Sequence, residues 1–280
     1  MKTNRFVKLL LKTINLFTQQ KMDVYAGFAA LCILMALVPL LMLILAVVNM
    51  LPGYSAADFS AYVTGLFPGI PAVQDMLKSI IMNLSEQSGG VVISLSALTS
   101  LWAASNGVSA IQTALDNLSG IRQSFVKGKK SALLFTVIYV LLIPSLLIFQ
   151  VLRSSIESVL EPVLAMLKLQ SLASTIYGIL AFSGILSLIV MALVIIMTYT
   201  YLPNGKRTLK SQLPGAVLAT VAAAVFTGVF GYCMTRFWKA SSVYGSLAAI
   251  FLTAMWLQFI LQILFFGAAL NQAIHETDSE

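Results

Sequence analysis

The stretch that decides the fold is residues 240–275, ASSVYGSLAAIFLTAMWLQFILQILFFGAALNQAIH, which contains no Asp, Glu, Lys or Arg. A helix rises about 1.5 Å per residue, so roughly 20 apolar residues cross the hydrocarbon core of a bilayer. Five further stretches of sufficient length also lack all four charged residue types: 24–57, 87–115, 131–152, 169–205 and 211–235. Because an unpaired charge at mid-membrane costs about 2.5–3.5 kcal/mol, this distribution predicts a polytopic membrane protein.

The predicted fold class is an all-α membrane bundle of six transmembrane helices, forming a single domain over residues 1–280. Hydrophobic residues make up 59% of the chain and charged residues 10%, against about 25% charged residues in ordinary soluble domains. No Gly/Ser-rich or Pro-rich linker divides the sequence, and no strand period is found. The predicted spans are approximately 27–50, 90–114, 131–152, 174–201, 214–232 and 245–270.

The basic residues are distributed unevenly between the loops, which predicts the orientation. One set of segments carries 12 of the 17 basic residues and five of the 10 acidic residues, and therefore the whole net charge of +7. These segments are 1–23, 116–130, 206–210 and 276–280. The positive-inside rule places them, and so both termini, in the cytoplasm. The basicity then needs no nucleic-acid partner to explain it.

Three further segments are predicted to lie at the membrane surface. Residues 1–22 form a basic amphipathic helix expected to bind anionic phospholipid headgroups at the cytoplasmic face. Its apolar row is Phe6, Leu9, Leu10, Ile14 and Phe17. The other two, 72–84 and 153–170, are predicted as extracytoplasmic amphipathic helices.

The second span carries most of the polar side chains. Ser105, Ser109, Gln112 and Asp116 are spaced i, i+4, i+7 and i+11, so they share one helix face. Two interpretations remain open: hydrogen bonding to neighbouring helices, at roughly 0.6 kcal/mol per contact, or a polar cavity open to the cytoplasm. The cavity interpretation is supported by polar residues on other spans, which are Thr198–Tyr201, Trp256, Gln258, Gln262 and Asn271.

Two other groups of residues have a structural and a functional interpretation. Lys206, Arg207 and Lys210 set topology, or they contact a phosphate or lipid headgroup. A ladder of small side chains in span 5 predicts close helix packing at the centre of the bundle, or a substrate path along that face. The ladder is Gly215, Ala219, Ala223, Thr227 and Gly231.

The sequence lacks the constellations that carry catalysis. His275 is the only histidine, and Cys32 and Cys233 lie in apolar windows, where they are expected to be packing residues. No phosphate-binding loop with its lysine is found, and carboxylates occur only in loops and the tail. We therefore expect no enzyme activity, no metal and no cofactor, while the oligomeric state is left open.

Four segments together resemble the YihY/BrkB family of bacterial inner-membrane proteins, once labelled ribonuclease BN. They are AAL and LVP (29–31, 37–39), LWAASNGV and ALD (101–108, 114–116), YLPN and LPGA (201–204, 213–216), and YGSLA, W and GAALN (244–248, 256, 267–271). The resemblance implies a multi-pass protein of the bacterial cell membrane with six spans and both ends inside. This chain departs from the family pattern at Asn106, where Arg is frequent, and at Asp116, where Asn is usual.

The resemblance implies a role in the envelope, because family members are associated with envelope integrity, virulence and export of lipid-like precursors. Our leading hypothesis is a transporter or translocator of a lipid-like or other polar envelope substrate. Its expected path is lined by Trp102, Ser105, Asn106, Ser109, Gln112, Thr113, Asp116, Gln258, Gln262 and Asn271. The alternative is a non-transporting scaffold that docks partners through 72–84 and 153–170. A nuclease is disfavoured.

Overall fold

The computed structural model of the chain describes residues 2–48, 56–66, 71–85, 90–121, 131–142, 183–205, 207–237 and 241–278. Within these ranges the chain is helical apart from turns, as the all-α prediction requires. The helices are α1 Lys2–Gln19, α2 Met22–Val48, α3 Ala56–Leu66, α4 Pro71–Ser85, α5 Gly90–Leu118, α6 Ser131–Leu142, α7 Ser183–Tyr201, α8 Leu209–Phe237 and α9 Ser241–Asp278. The predicted helix at 153–170 and the basic segment 122–130 lie outside the described residues.

Three described helices are both long and apolar enough to cross a membrane: α2 over Met22–Met42, α8 over Leu209–Met234 and α9 over Ala248–Thr277. Two shorter apolar helices, Ser131–Leu142 and Leu188–Tyr201, lie within the predicted spans 131–152 and 174–201, of which only these parts and the start of α7 are described. With 29 residues, α5 has the length but not the same apolar character. The count of six spans stays a prediction.

Two clusters of buried apolar side chains hold the bundle together, and α2, α8 and α9 contribute to both. The first unites α2, α5, α6, α7, α8 and α9 around Tyr199, Leu115 and Phe265. The second packs the α3–α4 hairpin, through Phe59 and Leu77, onto α2, α8 and α9. Helix α4 matches the predicted amphipathic helix 72–84. Among the described helices, α9 touches α1, α2, α4, α5 and α8, and α2 touches α1, α3, α4, α5 and α9, whereas span 5 (α8) touches α7 and α9; α2 and α9 are therefore more central than span 5 within the described part of the bundle.

The start of α8 differs from the prediction that Pro214 would begin the span. The helix begins at Leu209, so Pro214 lies inside it. Proline removes one backbone donor and disturbs the local hydrogen bonds. The next backbone N–H, that of Gly215, donates to the side-chain oxygen of Asn271 on α9 at 2.7 Å. A neighbouring helix therefore satisfies the backbone at the proline, which is how membrane helices tolerate it.

The end of α5 depends on one glycine with a left-handed backbone. Gly120 has φ 64°, and its N–H donates to the carbonyl of Asn117 at 3.1 Å. A Cβ at this position would meet nothing within 4 Å, so only backbone conformation opposes a side chain. We expect Gly120→Ala to lower the free energy of unfolding by about 1 kcal/mol, measured by SDS titration in micelles. Gly120→Asn should lose less, since Asn tolerates this region; an unchanged Gly120→Ala variant would contradict the explanation.

Candidate functional site

The polar residues of α5 divide into two groups that have different surroundings. One group lies on an open face of the helix, defined here by Trp102, Ser105, Asn106, Ser109 and Thr113. Trp102 is 68% exposed, and the other four side chains are half-buried. Residues at these spacings share one side of a helix, and Leu95 and Leu98 continue it towards the start of α5 with 62% and 66% exposure.

Among the described residues, most side chains of the open face make no hydrogen bond to the protein. Thr113 donates its hydroxyl to the carbonyl of Ser109 one turn earlier, at 2.8 Å. Within the described ranges, no partner is found for the side chains of Ser105, Asn106 and Ser109. Two hydroxyls and a carboxamide along one side of the helix are therefore without a partner in the part of the chain that the structure describes.

Another side of α5, next to the open face, is a packing surface of small residues. Ala103, Gly107, Ala110 and Ala114 are buried. At Gly107 an added Cβ would lie 3.4–3.6 Å from Cys32, Ile33 and the Ala29 carbonyl of α2. Small side chains allow the two backbones to approach closely, which is the usual basis of helix association in a membrane. Packing against α2 thus fixes which side of α5 stays open.

The second group of α5 polar residues binds the loop between α7 and α8, residues 202–208. Gln112 is buried and donates to the carbonyl of Leu202 at 2.9 Å. Asp116 is fully buried, and its carboxylate accepts the backbone N–H of Asn204 at 2.8 Å and the Asn204 carboxamide at 2.6 Å. We call these four residues, with Arg207, the α5–loop cluster. It connects two segments that are 88 residues apart.

Arg207 completes the cluster from the other side of the loop. Its guanidinium donates to the Leu115 carbonyl at 3.0 Å and also to the hydroxyl of Ser119. A cation at this end of α5 complements the negative end of the helix dipole. Burial lowers the pKa of Arg207, while the negative charge of Asp116 opposes that shift. The half-buried guanidinium of Arg207 therefore lies near the Asp116 carboxylate without an ion pair between them being described.

Asn271, another predicted path residue, holds α8 to α9. Besides accepting from Gly215, its carboxamide donates to the backbone carbonyl and side-chain oxygen of Gln212, each at 3.1 Å. Asn271 and Gln212 are both buried. Every polar atom of the Asn271 side chain therefore has a protein partner, and it faces α8, not the open face of α5.

Two of the remaining predicted residues of α9 contact other helices. Trp256 donates its indole N–H to Thr227 of α8 at 3.3 Å. Gln258 lies against α2, because a Cβ added at Gly27 would be 3.8 Å from its amide nitrogen. Gln262 is half-buried on the same helix. The structure therefore places Trp256 beside α8 and Gln258 beside α2.

The predicted headgroup residues have separate positions. Lys206 lies outside the described residues. Lys210 is exposed in the first turn of α8, while Arg207 is engaged by the end of α5. Of the predicted packing ladder, Gly215, Ala219, Ala223 and Gly231 are buried, and Thr227 is half-buried beside Trp256.

Some partners could not be identified from the sequence. Asn204 entered the sequence analysis only as the last residue of the family segment YLPN (201–204), yet it binds Asp116 twice. Asn117 donates to the Tyr25 hydroxyl of α2 at 2.8 Å. Ser131, at the start of α6, donates to the Leu202 carbonyl at 3.3 Å. No sequence pattern around these residues indicates which residue each one bonds. The presence of polar residues beside a short loop was the one feature that could have indicated hydrogen bonds in this region.

Metal-binding side chains do not come together in the parts of the chain that the structure describes. Three or more His, Cys, Asp or Glu residues in a ligating arrangement are not found there. The described polar groups near α5 are instead hydroxyls, carboxamides, one carboxylate and one guanidinium, which suit hydrogen bonding.

Comparison with known proteins gives matches over nearly the whole chain. A family model described as virulence factor BrkB matches residues 13–280. The ribonuclease-like protein YfkH of Bacillus subtilis (strain 168) is 24% identical over 247 residues, covering 87% of this chain and 86% of its own length. A UPF0761 membrane protein of Aliivibrio salmonicida (strain LFI1238) is 24% identical over 264 residues, covering 92% and 80%. No solved structure matches this chain.

Proposed function

Because the chain belongs to the virulence factor BrkB family of membrane proteins, we propose that it moves a lipid-like envelope substrate with a polar headgroup across the bacterial cell membrane. In this proposal the open face of α5 is the path of the headgroup. Both termini are assigned to the cytoplasm from the charge distribution of the loops.

The observation that carries the proposal is the set of polar side chains without internal partners on the open face of α5. Polar groups within a membrane segment are normally bonded to other helices or placed where water or substrate reaches them. Ser105, Asn106 and Ser109 have no such internal bonds among the described residues. They offer donors and acceptors that replace water around a headgroup while the acyl chains remain in the bilayer.

The α5–loop cluster supports this proposal by holding the helix in place. Gln112 and Asp116 are buried and bonded to the α7–α8 loop, so they fix the rotation of α5 and with it the direction of its open face. The cluster has a supporting role in the proposal. A path test must therefore change residues of the open face and leave the cluster intact.

The direct test changes Asn106 and Ser109 together to Leu. Each lost hydrogen bond to a headgroup is worth about 0.5–1.5 kcal/mol, so the pair should slow lipid movement about tenfold or more. The measurement is the rate at which a fluorescent lipid in proteoliposomes becomes accessible to dithionite added outside. Val217→Leu, on the exposed face of α8, is the matched control and should leave the rate unchanged.

The same experiment separates the proposal from its alternatives. If the wild-type protein moves none of a panel of phospholipids and glycolipids, translocation of lipids is excluded and a scaffold role is favoured. A scaffold predicts that changes on α4, such as Asp75→Ala and Lys78→Ala, disturb envelope integrity while Asn106→Leu is silent; both α4 side chains are exposed. The thermal unfolding midpoint of each variant checks that the fold is retained.

A further inference from the structure

The N-terminal helix α1 packs against the C-terminal end of α9. Phe17 contacts Phe266 with ring centroids 6.1 Å apart, and Lys12 forms an ion pair with Glu276 at 3.3 Å. Thr13, between them, is buried at 1% exposure. Since Phe17 meets the earlier residue of α9 and Lys12 the later one, the two helices run in opposite directions. The α1 segment thus lies beside the last turns of α9.

The length of α9 explains why its last turns lie at the membrane boundary, beside α1. Its 38 residues extend about 57 Å, whereas the hydrocarbon core is about 30 Å thick. The last turns therefore reach the interfacial layer or pass beyond it. Through Lys21, with φ 51°, the chain turns sharply from α1 into α2, which is a candidate span. Helix α1 is consequently placed at one boundary of the bilayer by both of its neighbours.

A second apolar side of α1 is not covered by the described protein. Val7, Leu10, Leu11 and Ile14 are exposed by 42–60%. On a helical projection they form one continuous arc, separate from the side that docks on α9. The structure thus divides the predicted apolar row, because Phe17 packs on α9 while Leu10 and Ile14 face outwards.

The charge of this segment identifies what covers the exposed arc. Residues 1–22 contain Lys2, Arg5, Lys8, Lys12 and Lys21 and no acidic residue. Lys8 and Asn15 are exposed and flank the apolar arc on its polar side. An apolar arc beside cations matches a layer of anionic headgroups above acyl chains, and each cation gains about 1 kcal/mol near such a surface. A second copy of the same basic helix would instead be repelled.

We propose that the exposed arc of α1 is a binding surface for anionic lipid, with Val7, Leu10, Leu11 and Ile14 inserted at the acyl boundary and Lys8 among the headgroups. The α1–α9 contact orients the arc towards the leaflet. This inference is independent of lipid translocation, since it rests on the docking of α1 and not on the open face of α5.

The test places a nitroxide label at one position at a time on the full-length protein. The background carries Cys32→Ala and Cys233→Ala, and the labelled variants are Leu10→Cys on the apolar arc and Asn15→Cys on the polar side, both exposed. In proteoliposomes containing phosphatidylglycerol, position 10 should be accessible to oxygen and protected from a water-soluble nickel relaxant. Position 15 should show the reverse.

Charge dependence is checked with Lys8→Gln in the Leu10→Cys variant. Loss of this cation should lower the ratio of membrane-inserted to free α1 about fivefold, equivalent to about 1 kcal/mol, in vesicles where both states are populated. The inference is overturned if position 10 is as exposed to nickel as position 15 in phosphatidylglycerol vesicles. It is also overturned if Leu10→Cys forms disulfide-linked dimers in them, which would identify a second copy as the occupant.

Discussion

Replacement of Gly215 by Leu is expected to destabilise the folded bundle strongly. At this position α8 and α9 are in backbone contact: a Cβ on Gly215 would overlap the carbonyl oxygen of Gly267, and a Cβ on Gly267 would lie 2.5 Å from the carbonyl oxygen of Gly215. Backbone cannot rotate away as a side chain does, so the helices would have to separate. Separation also breaks the bonds from Asn271 to Gly215 and Gln212.

We expect this substitution to lower the free energy of unfolding by more than about 3 kcal/mol, the upper end of what overpacking costs. Gly228→Leu is the matched control, because a Cβ at Gly228, on the same helix, meets nothing within 4 Å. Removing an exposed glycine from a helix should be neutral or stabilise the protein by about 0.5–1 kcal/mol.

The two variants are compared by SDS titration of helicity and by the yield of monodisperse protein after purification. Similar unfolding midpoints for Gly215→Leu and Gly228→Leu would contradict the close contact of α8 and α9. A large loss of stability in Gly215→Leu, with none in Gly228→Leu, would place the stabilising contact on the side of α8 that faces α9.

The second large effect is expected at Asp116. In Asp116→Ala the backbone N–H and the carboxamide of Asn204 lose their acceptor, and Arg207 loses the nearby negative charge that offsets its burial. Each donor left without a partner costs about 1–3 kcal/mol, two donors are affected here, and loss of the negative charge near the half-buried Arg207 adds to the cost. The free energy of unfolding should therefore fall by about 3 kcal/mol or more.

A side-chain exchange tests the mechanism of this loss. Asp116→Asn alone presents an NH₂ group to the Asn204 carboxamide and should be clearly destabilised. Adding Asn204→Asp restores one donor and one acceptor in the same place, and the coupling between close partners is typically 0.5–3 kcal/mol. The double variant should therefore be more stable than the two single variants predict by addition.

Ser105→Ala is the control for this series, since Ser105 is half-buried on the same helix and no partner is found for its hydroxyl in the described chain. Its free energy of unfolding should change by no more than about 0.5 kcal/mol. Strict additivity of Asp116→Asn and Asn204→Asp would show that the two side chains do not interact.

Much of the architecture follows from the sequence because a bilayer imposes local rules. Burying a charge in hydrocarbon is costly wherever it occurs along the chain, so uncharged windows indicate membrane helices without any knowledge of their neighbours. The helices found at 22–48, 209–237 and 241–278 each overlap such a window, and their charged residues lie only near their ends. Helices α1 and α4 were predicted from apolar rows at helical spacing, which also depend only on nearby residues.

The surroundings of each polar side chain were decided by tertiary structure. Along α5 the sequence presents Asn106, Ser109, Gln112 and Asp116 as one polar face, yet Gln112 and Asp116 are bonded to the α7–α8 loop while Asn106 and Ser109 stay open. The hydrogen-bonding interpretation therefore describes Gln112 and Asp116, while a polar cavity beside Asn106 and Ser109 stays a prediction. A hydrogen bond between residues 88 positions apart in the sequence depends on how the helices pack. The periodicity of polar residues within one helix carries no information about which distant residue will be its partner.

The sequence by itself determined that this chain is a membrane protein built from helices, because hydrocarbon thickness and the cost of charge act on each segment separately. Only the tertiary structure decided that Pro214 lies within α8, that Asn271 serves α8, and that α1 keeps one apolar arc exposed. Each of these outcomes requires contact between two segments that are distant in the chain. The free energy of such a contact depends on both segments together, so it does not follow from the sequence of either one.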